Sequence, residues 1–239
     1  MVARFFIAAL LIFSFQGITA QSVQQYFSYG LEKHNSKDYA GAVADFSIAI
    51  SQNSGNSTLY YCRGLSLLEL KKYDEAIADF SHAINLNPFN HQTFFYRAKA
   101  KEQKGSLMGA IIDYTEVLKI DPQHSESYLL RGKVKYSQGD YINAISDFDI
   151  LLKIDSLSVK GLFNRSLAKY AMLDFGGTIL DLDKLTEIDP THVEAYYYRG
   201  LAFIRSGKLN NGCADLYKAQ QMGDTRANQW LKDKCNVVD

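Results

Sequence analysis

Bulky residues recur along this chain at a fixed interval, and small residues follow them at a fixed offset. Tyr26, Tyr60, Phe94, Tyr128 and Tyr196 stand in one row, with Leu162 as its exception. Four residues after each comes a small side chain: Gly30, Gly64, Ala98, Gly132, Ser166 and Gly200. Further on lie Tyr39, Tyr73, Leu107, Tyr141, Phe175 and Leu209, and then the small row Ala42, Ala76, Ala110, Ala144, Thr178 and Gly212. Phe46, Phe80, Tyr114, Phe148, Leu182 and Leu216 complete the unit. An i, i+4 spacing within each half is helical, not strand-like. Each unit therefore predicts two helices of about 13 residues, roughly 20 Å long. Gly105, Gly139 and Gly207 mark the break between them, where a left-handed cap is needed, and Lys37 and Leu173 occupy the equivalent place elsewhere. Second helices are predicted to stop before Pro88, Pro122 and Pro190, because the residue preceding proline is pushed out of the helical region.

Frames of 34 residues from Val23 fit without insertions: 23–56, 57–90, 91–124, 125–158, 159–192 and 193–226. The pattern resembles the tetratricopeptide repeat, whose signature is matched by Tyr60, Gly64, Tyr73, Ala76, Phe80, Ala83 and Pro88. That resemblance implies an all-α, right-handed superhelical solenoid of antiparallel helix pairs with a concave groove. Residues 227–239 then read as a capping helix and tail, with polar Lys232, Asp233 and Lys234 suited to the solvent-facing end of a stack.

Two rows are charged. Arg63, Arg97, Arg131, Arg165 and Arg199 share one; Asp45, Asp79, Asp113, Asp147, Asp181 and Asp215 share the other. One pair per unit is the signature of a structural ladder, not of groups converging in a catalytic cleft. Tyr29 replaces arginine in the first unit, the one with no unit before it, so each arginine is expected to pair with the aspartate of the preceding repeat, as in Asp45–Arg63. Pairing within a repeat, Arg63 with Asp79, is the alternative.

A second stripe lies about 100° round the first helix of each unit. In the resembled fold it lines the concave surface. Phe27, Leu31, Tyr61, Leu65, Phe95, Lys99, Lys133, Tyr136, Phe163, Tyr170, Tyr197 and Ile204 are its candidate partner-binding residues. Such a stripe also packs neighbouring helices together, but aromatics in a row on a concave wall suit a peptide or a partner helix. Lys99 and Lys133 lack the asparagine companions with which co-chaperones of this family hold a terminal carboxylate.

Composition changes the picture at four points. Lys+Arg and Asp+Glu both number 26, which argues against nucleic acid as a partner, since phosphate neutralisation needs a basic excess. Residues 1–20 read as a secretory signal peptide: Arg4, the apolar run Phe5–Phe13, then small residues ending at Ala20. Export is therefore expected, to periplasm or medium, with no membrane-spanning segment after signal removal. Three cysteines then allow one bridge, for which Cys213 and Cys235 are the candidates, while Cys62 reads as a half-buried small hydrophobe. His34, His82, His91, His124 and His192 form no metal-ligand spacing, and no nucleophile or phosphate-loop motif occurs. The expectation is a non-enzymatic protein with no metal and no cofactor. It binds a protein or peptide through its groove, or alternatively serves as a scaffold that binds through its outer surfaces or ends.

Overall fold

The computed structural model describes residues 22–235. The signal-peptide reading therefore lies outside the described residues. Among these residues all regular structure is helical, and helices alternate with short turns. The first helices are α1 (residues 22–35), α3 (Ser57–Glu69), α5 (His91–Gln103), α7 (Ser125–Ser137), α9 (Val159–Ala171) and α11 (Val193–Arg205). The second helices are α2 (Tyr39–Gln52), α4 (Tyr73–Leu86), α6 (Leu107–Ile120), α8 (Tyr141–Ile154), α10 (Phe175–Ile188) and α12 (Leu209–Gln221). A short α13 (Ala227–Lys234) follows. The chain forms two compact units that divide between Pro122 and Gln123. The first holds α1 to α6 and the second α7 to α13.

Why the pairs close is visible in the small row. A Cβ on Gly64 would sit 2.7 Å from Cε1 of the buried Phe80 ring, closer than atoms can approach. Absence of that carbon lets α3 lie against the ring, which is fully buried. Leu67, Ala76, Phe80 and Ala100 make one apolar cluster of the first unit; Leu201, Leu216, Ala219, Ala227 and Leu231 make one of the second.

Six turn residues hold a left-handed backbone at 34-residue intervals: Lys37, Lys71, Gly105, Gly139, Leu173 and Gly207, with φ between 59° and 86°. Second helices stop before Pro88, Pro122 and Pro190 as predicted, with Asn87, Asp121 and Asp189 extended, but proline is not required. Asn53 and Asp155 are as extended (φ −144° and −131°) as Asn87 and Asp189, yet no proline follows them. The shared device is a side-chain turn. Backbone N–H groups of Gly55, Phe89, Leu157 and Thr191 donate to the carbonyl or carboxylate oxygen two residues earlier, at 3.0–3.3 Å.

The charged ladder corrects one expectation. Each arginine grips the aspartate of its own helix pair: Arg63–Asp79, Arg97–Asp113, Arg131–Asp147, Arg165–Asp181 and Arg199–Asp215. Nε and Nη2 donate to both carboxylate oxygens at 2.5–3.0 Å. The reason is register. Arg63 stands eight residues before the turn residue Lys71 and Asp79 eight after it, so they are level across an antiparallel hairpin. Asp45 is not the partner of Arg63; Lys33 Nζ holds it at 2.7 Å instead. The arginine does reach the preceding pair, but sixteen residues back rather than eighteen. Nη1 donates to Ser47 Oγ from Arg63, Ser81 Oγ from Arg97, Asp149 from Arg165 and Asp183 from Arg199, at 2.7–3.0 Å. A two-residue error turns a side chain about 200° round a helix, to its far side.

Candidate functional site

Twelve side chains were expected along the stripe, and their exposures differ. Phe95 is 3 % exposed and packs 6.0 Å from the Tyr114 ring, so it belongs to the core and is removed from the candidate surface. The physical reason is the neighbouring position, one residue later on the helix. Tyr96 turns outward there, half-buried, and meets the Phe95 ring edge-on at 5.4 Å. Leu31 and Lys133 are open to solvent. The other nine are half-buried.

In the first unit these faces converge on α3 and α5. Tyr61 packs on Phe80 at 6.2 Å and meets Tyr96 edge-on at 6.0 Å, while Leu65 rests on the same cluster. Burial pushes the Tyr61 hydroxyl up to about 12 and the adjoining Cys62 thiol up to about 11. Cys62 therefore stays protonated near neutrality and has little nucleophilic character. Lys99 lies over the faces of Phe95 and Tyr96, its Nζ 5.4 and 5.6 Å from the ring centres. Beside them is a hollow of about 260 Å³ lined by Leu68, Glu69, Lys71, Tyr73, Tyr96, Lys99 and Gln103. Phe27 sits at the other end of this unit, against Phe46.

In the second unit Tyr198 is the hub. Phe163 lies 6.0 Å and Tyr170 6.2 Å from its ring, both edge-on, and Tyr197 5.3 Å. Tyr170 also meets Phe175, Phe163 meets His192 at 4.8 Å, and Tyr136 meets Tyr141. Ile204 is half-buried against the last cluster. Arg226 covers the Tyr197 face at 4.4 Å, and its hydrogen bonds to Asp224 raise the guanidinium and hold that carboxyl below its usual range. Tyr96, Tyr198 and Arg226 were not among the expected site residues. The first two stand one position beyond the stripe, so a stripe one residue wider would have included them.

A disulfide joins Cys213 and Cys235, whose Cα atoms are 5.8 Å apart. It ties the residue after α13 to α12. Trp230 and Leu231 of α13 pack on the last apolar cluster, and Lys232, Asp233 and Lys234 are exposed. Among the described residues no three His, Cys, Asp or Glu are grouped to hold a metal ion, and no helix is long and apolar enough to cross a membrane.

Comparison with known proteins agrees with this architecture. The tetratricopeptide-repeat family model matches residues 57–90. No curated protein matches the chain in sequence. Among solved structures, the C-terminal part of a repeat-containing protein of this type from Cytophaga hutchinsonii superposes with a TM-score of 0.75 at 21 % identity, covering 82 % of this chain and 78 % of that one. A tetratricopeptide-repeat protein from Parabacteroides merdae gives 0.70 at 19 % identity, covering 89 % and 98 %. YrrB, described as having an unusual peptide-binding site, gives 0.70 at 16 % identity, covering 78 % and 97 %. At such identities the likeness is one of fold.

Proposed function

We propose that this tetratricopeptide-repeat protein is an exported interaction module that binds a peptide or partner protein through the first-helix faces. One observation carries the reading: the hollow between α3 and α5, where Tyr96 and Lys99 stand half-exposed beside Tyr73 and Lys71. Half-packed aromatics lose little side-chain freedom when a partner covers their free edges, which favours binding. The peptide-binding site named for YrrB supports the same kind of use for this fold. The zero formal charge fits a protein partner better than nucleic acid. Export is supported by the apolar N-terminal run and by the Cys213–Cys235 bridge, a bond that persists in oxidising compartments.

The scaffold reading has its own observation. Met108 and Ile112, one turn apart on α6, are 62 % and 55 % exposed; Ile142 on α8 and Leu180 on α10 are 68 % and 71 % exposed. Selecting peptides from a random library against the whole chain separates the two. Tyr96→Ala or Lys99→Ala is expected to weaken the selected peptides at least about tenfold, the loss of one aromatic or charged contact, with thermal stability little changed in Lys99→Ala and lowered in Tyr96→Ala, whose ring also packs on Phe80 and Tyr61. Unchanged affinity in both, with a loss in Ile112→Glu, assigns binding to the outer surface.

A further inference from the structure

The ladder has a gap, and the gap has the shape of a binding site. In α5–α6, α7–α8 and α9–α10 a lysine one turn after the arginine adds a third charged contact to the aspartate. Lys101 reaches Asp113, Lys135 reaches Asp147 and Lys169 reaches Asp181, at 2.8–2.9 Å. The same position in α3–α4 is Leu67, whose side chain turns into the apolar cluster. Asp79 keeps both bonds to Arg63 and has no lysine over it, and its side chain is 8 % exposed against 1 %, 3 % and 5 % for the three covered carboxylates.

Where the missing lysine would lie there is a hollow of about 300 Å³. Leu67, Val43 and Ala78 supply apolar walls, Arg63 and Asp79 the polar end, and Glu75 lines it as well. Lys72 Nζ holds Glu75 at 3.2 Å, so Asp79 is the carboxylate left to receive a further donor, as Asp113, Asp147 and Asp181 do. An alkylammonium matches each part: its stem against the apolar walls, its N–H groups donating to Asp79 Oδ2. Coexistence with Arg63 is no obstacle, because Arg97 and Lys101 share Asp113 in the next pair. In α11–α12 the position holds Phe203, whose ring centre lies 5.9 Å from Lys208 Nζ.

We propose that this hollow is a socket for a lysine side chain contributed by a bound polypeptide, docking on the side opposite to the half-packed aromatics of α3 and α5. The chain's own lysines in three other pairs show which chemical group completes this arrangement. Occupation would hold a basic segment across α2, α3 and α4, independently of what the first-helix faces bind.

The test uses the full chain, n-butylammonium and n-butanol as probes, and 1H–15N NMR. Butylammonium is expected to shift Arg63 Nε–H and the amides near Asp79 saturably, with butanol at least about tenfold weaker, the difference one charge-assisted hydrogen bond makes. Leu67→Lys, which restores the internal ammonium, should abolish the shifts. Should that variant fail to fold, Ala78→Phe, an exposed substitution that covers the mouth, should abolish them instead. An acetylated Gly-Lys-Gly amide should bind where its norleucine counterpart does not. No saturable shift, equal response to butanol, or shifts surviving the blocking variant would overturn the socket. Binding of butylammonium without the lysine peptide would overturn the polypeptide as its source.

Discussion

Asp113 shows at one residue what the ladder does. It is 1 % exposed and receives Arg97 through both oxygens and Lys101 through one, while the Arg97 guanidinium also lies 5.5 Å over the Phe94 ring. Burial of this kind stabilises little net, because desolvation offsets attraction, but removal of one partner strands the others. Asp113→Ala is expected to cost about 3 kcal/mol in urea unfolding, since Arg97 and Lys101 would stay close to each other without a counter-charge. Asp74→Ala, an exposed position paired with Lys104, should cost less than about 0.5 kcal/mol. Charge rows were legible in the sequence because they recur at the repeat interval. Their pairing was also within reach, since Arg63 and Asp79 are equidistant from Lys71, but the absent arginine at Tyr29 pointed to the wrong neighbour.

Helices and their turns were the most readable layer, and the periodicity of small and bulky rows is the reason. Left-handed turn positions followed from three glycines and extended to Lys37 and Leu173, with Lys71 the one not anticipated. Leu173 is 72 % exposed at φ 64°, so its side chain gains no packing to offset a conformation that L-residues resist. Leu173→Gly is expected to stabilise the chain by about 0.5–1 kcal/mol, the strain relieved less the added freedom of the unfolded glycine. A melting temperature unchanged or lowered would show the turn to be unstrained. Proline marks three helix ends, and Asn53, Asn87, Asp155 and Asp189 add a side-chain turn that also serves ends without a proline. The stripe was read too coarsely, since Phe95 and Tyr96 exchange inside and outside within a single step of 100°. Periodicity alone does not resolve that step.

The described residues form two stacks of helix pairs, the second closed by a stapled cap. Opening the 22-residue separation between Cys213 and Cys235 should remove about 3 kcal/mol of stability from α13 and the residues it covers. Trp230, the one tryptophan of the chain, lies in that cap, so reduction should change its fluorescence before the rest unfolds. The proposed partner lies along the first helices. Hydrogen exchange of the full chain, with and without a saturating selected peptide, tests it most directly. Exchange should slow at the ends of α3 and α5, around residues 68–73 and 99–105, with the amides of α6 near Met108 and Ile112 unchanged. Protection confined to α6 and the other second helices would contradict it.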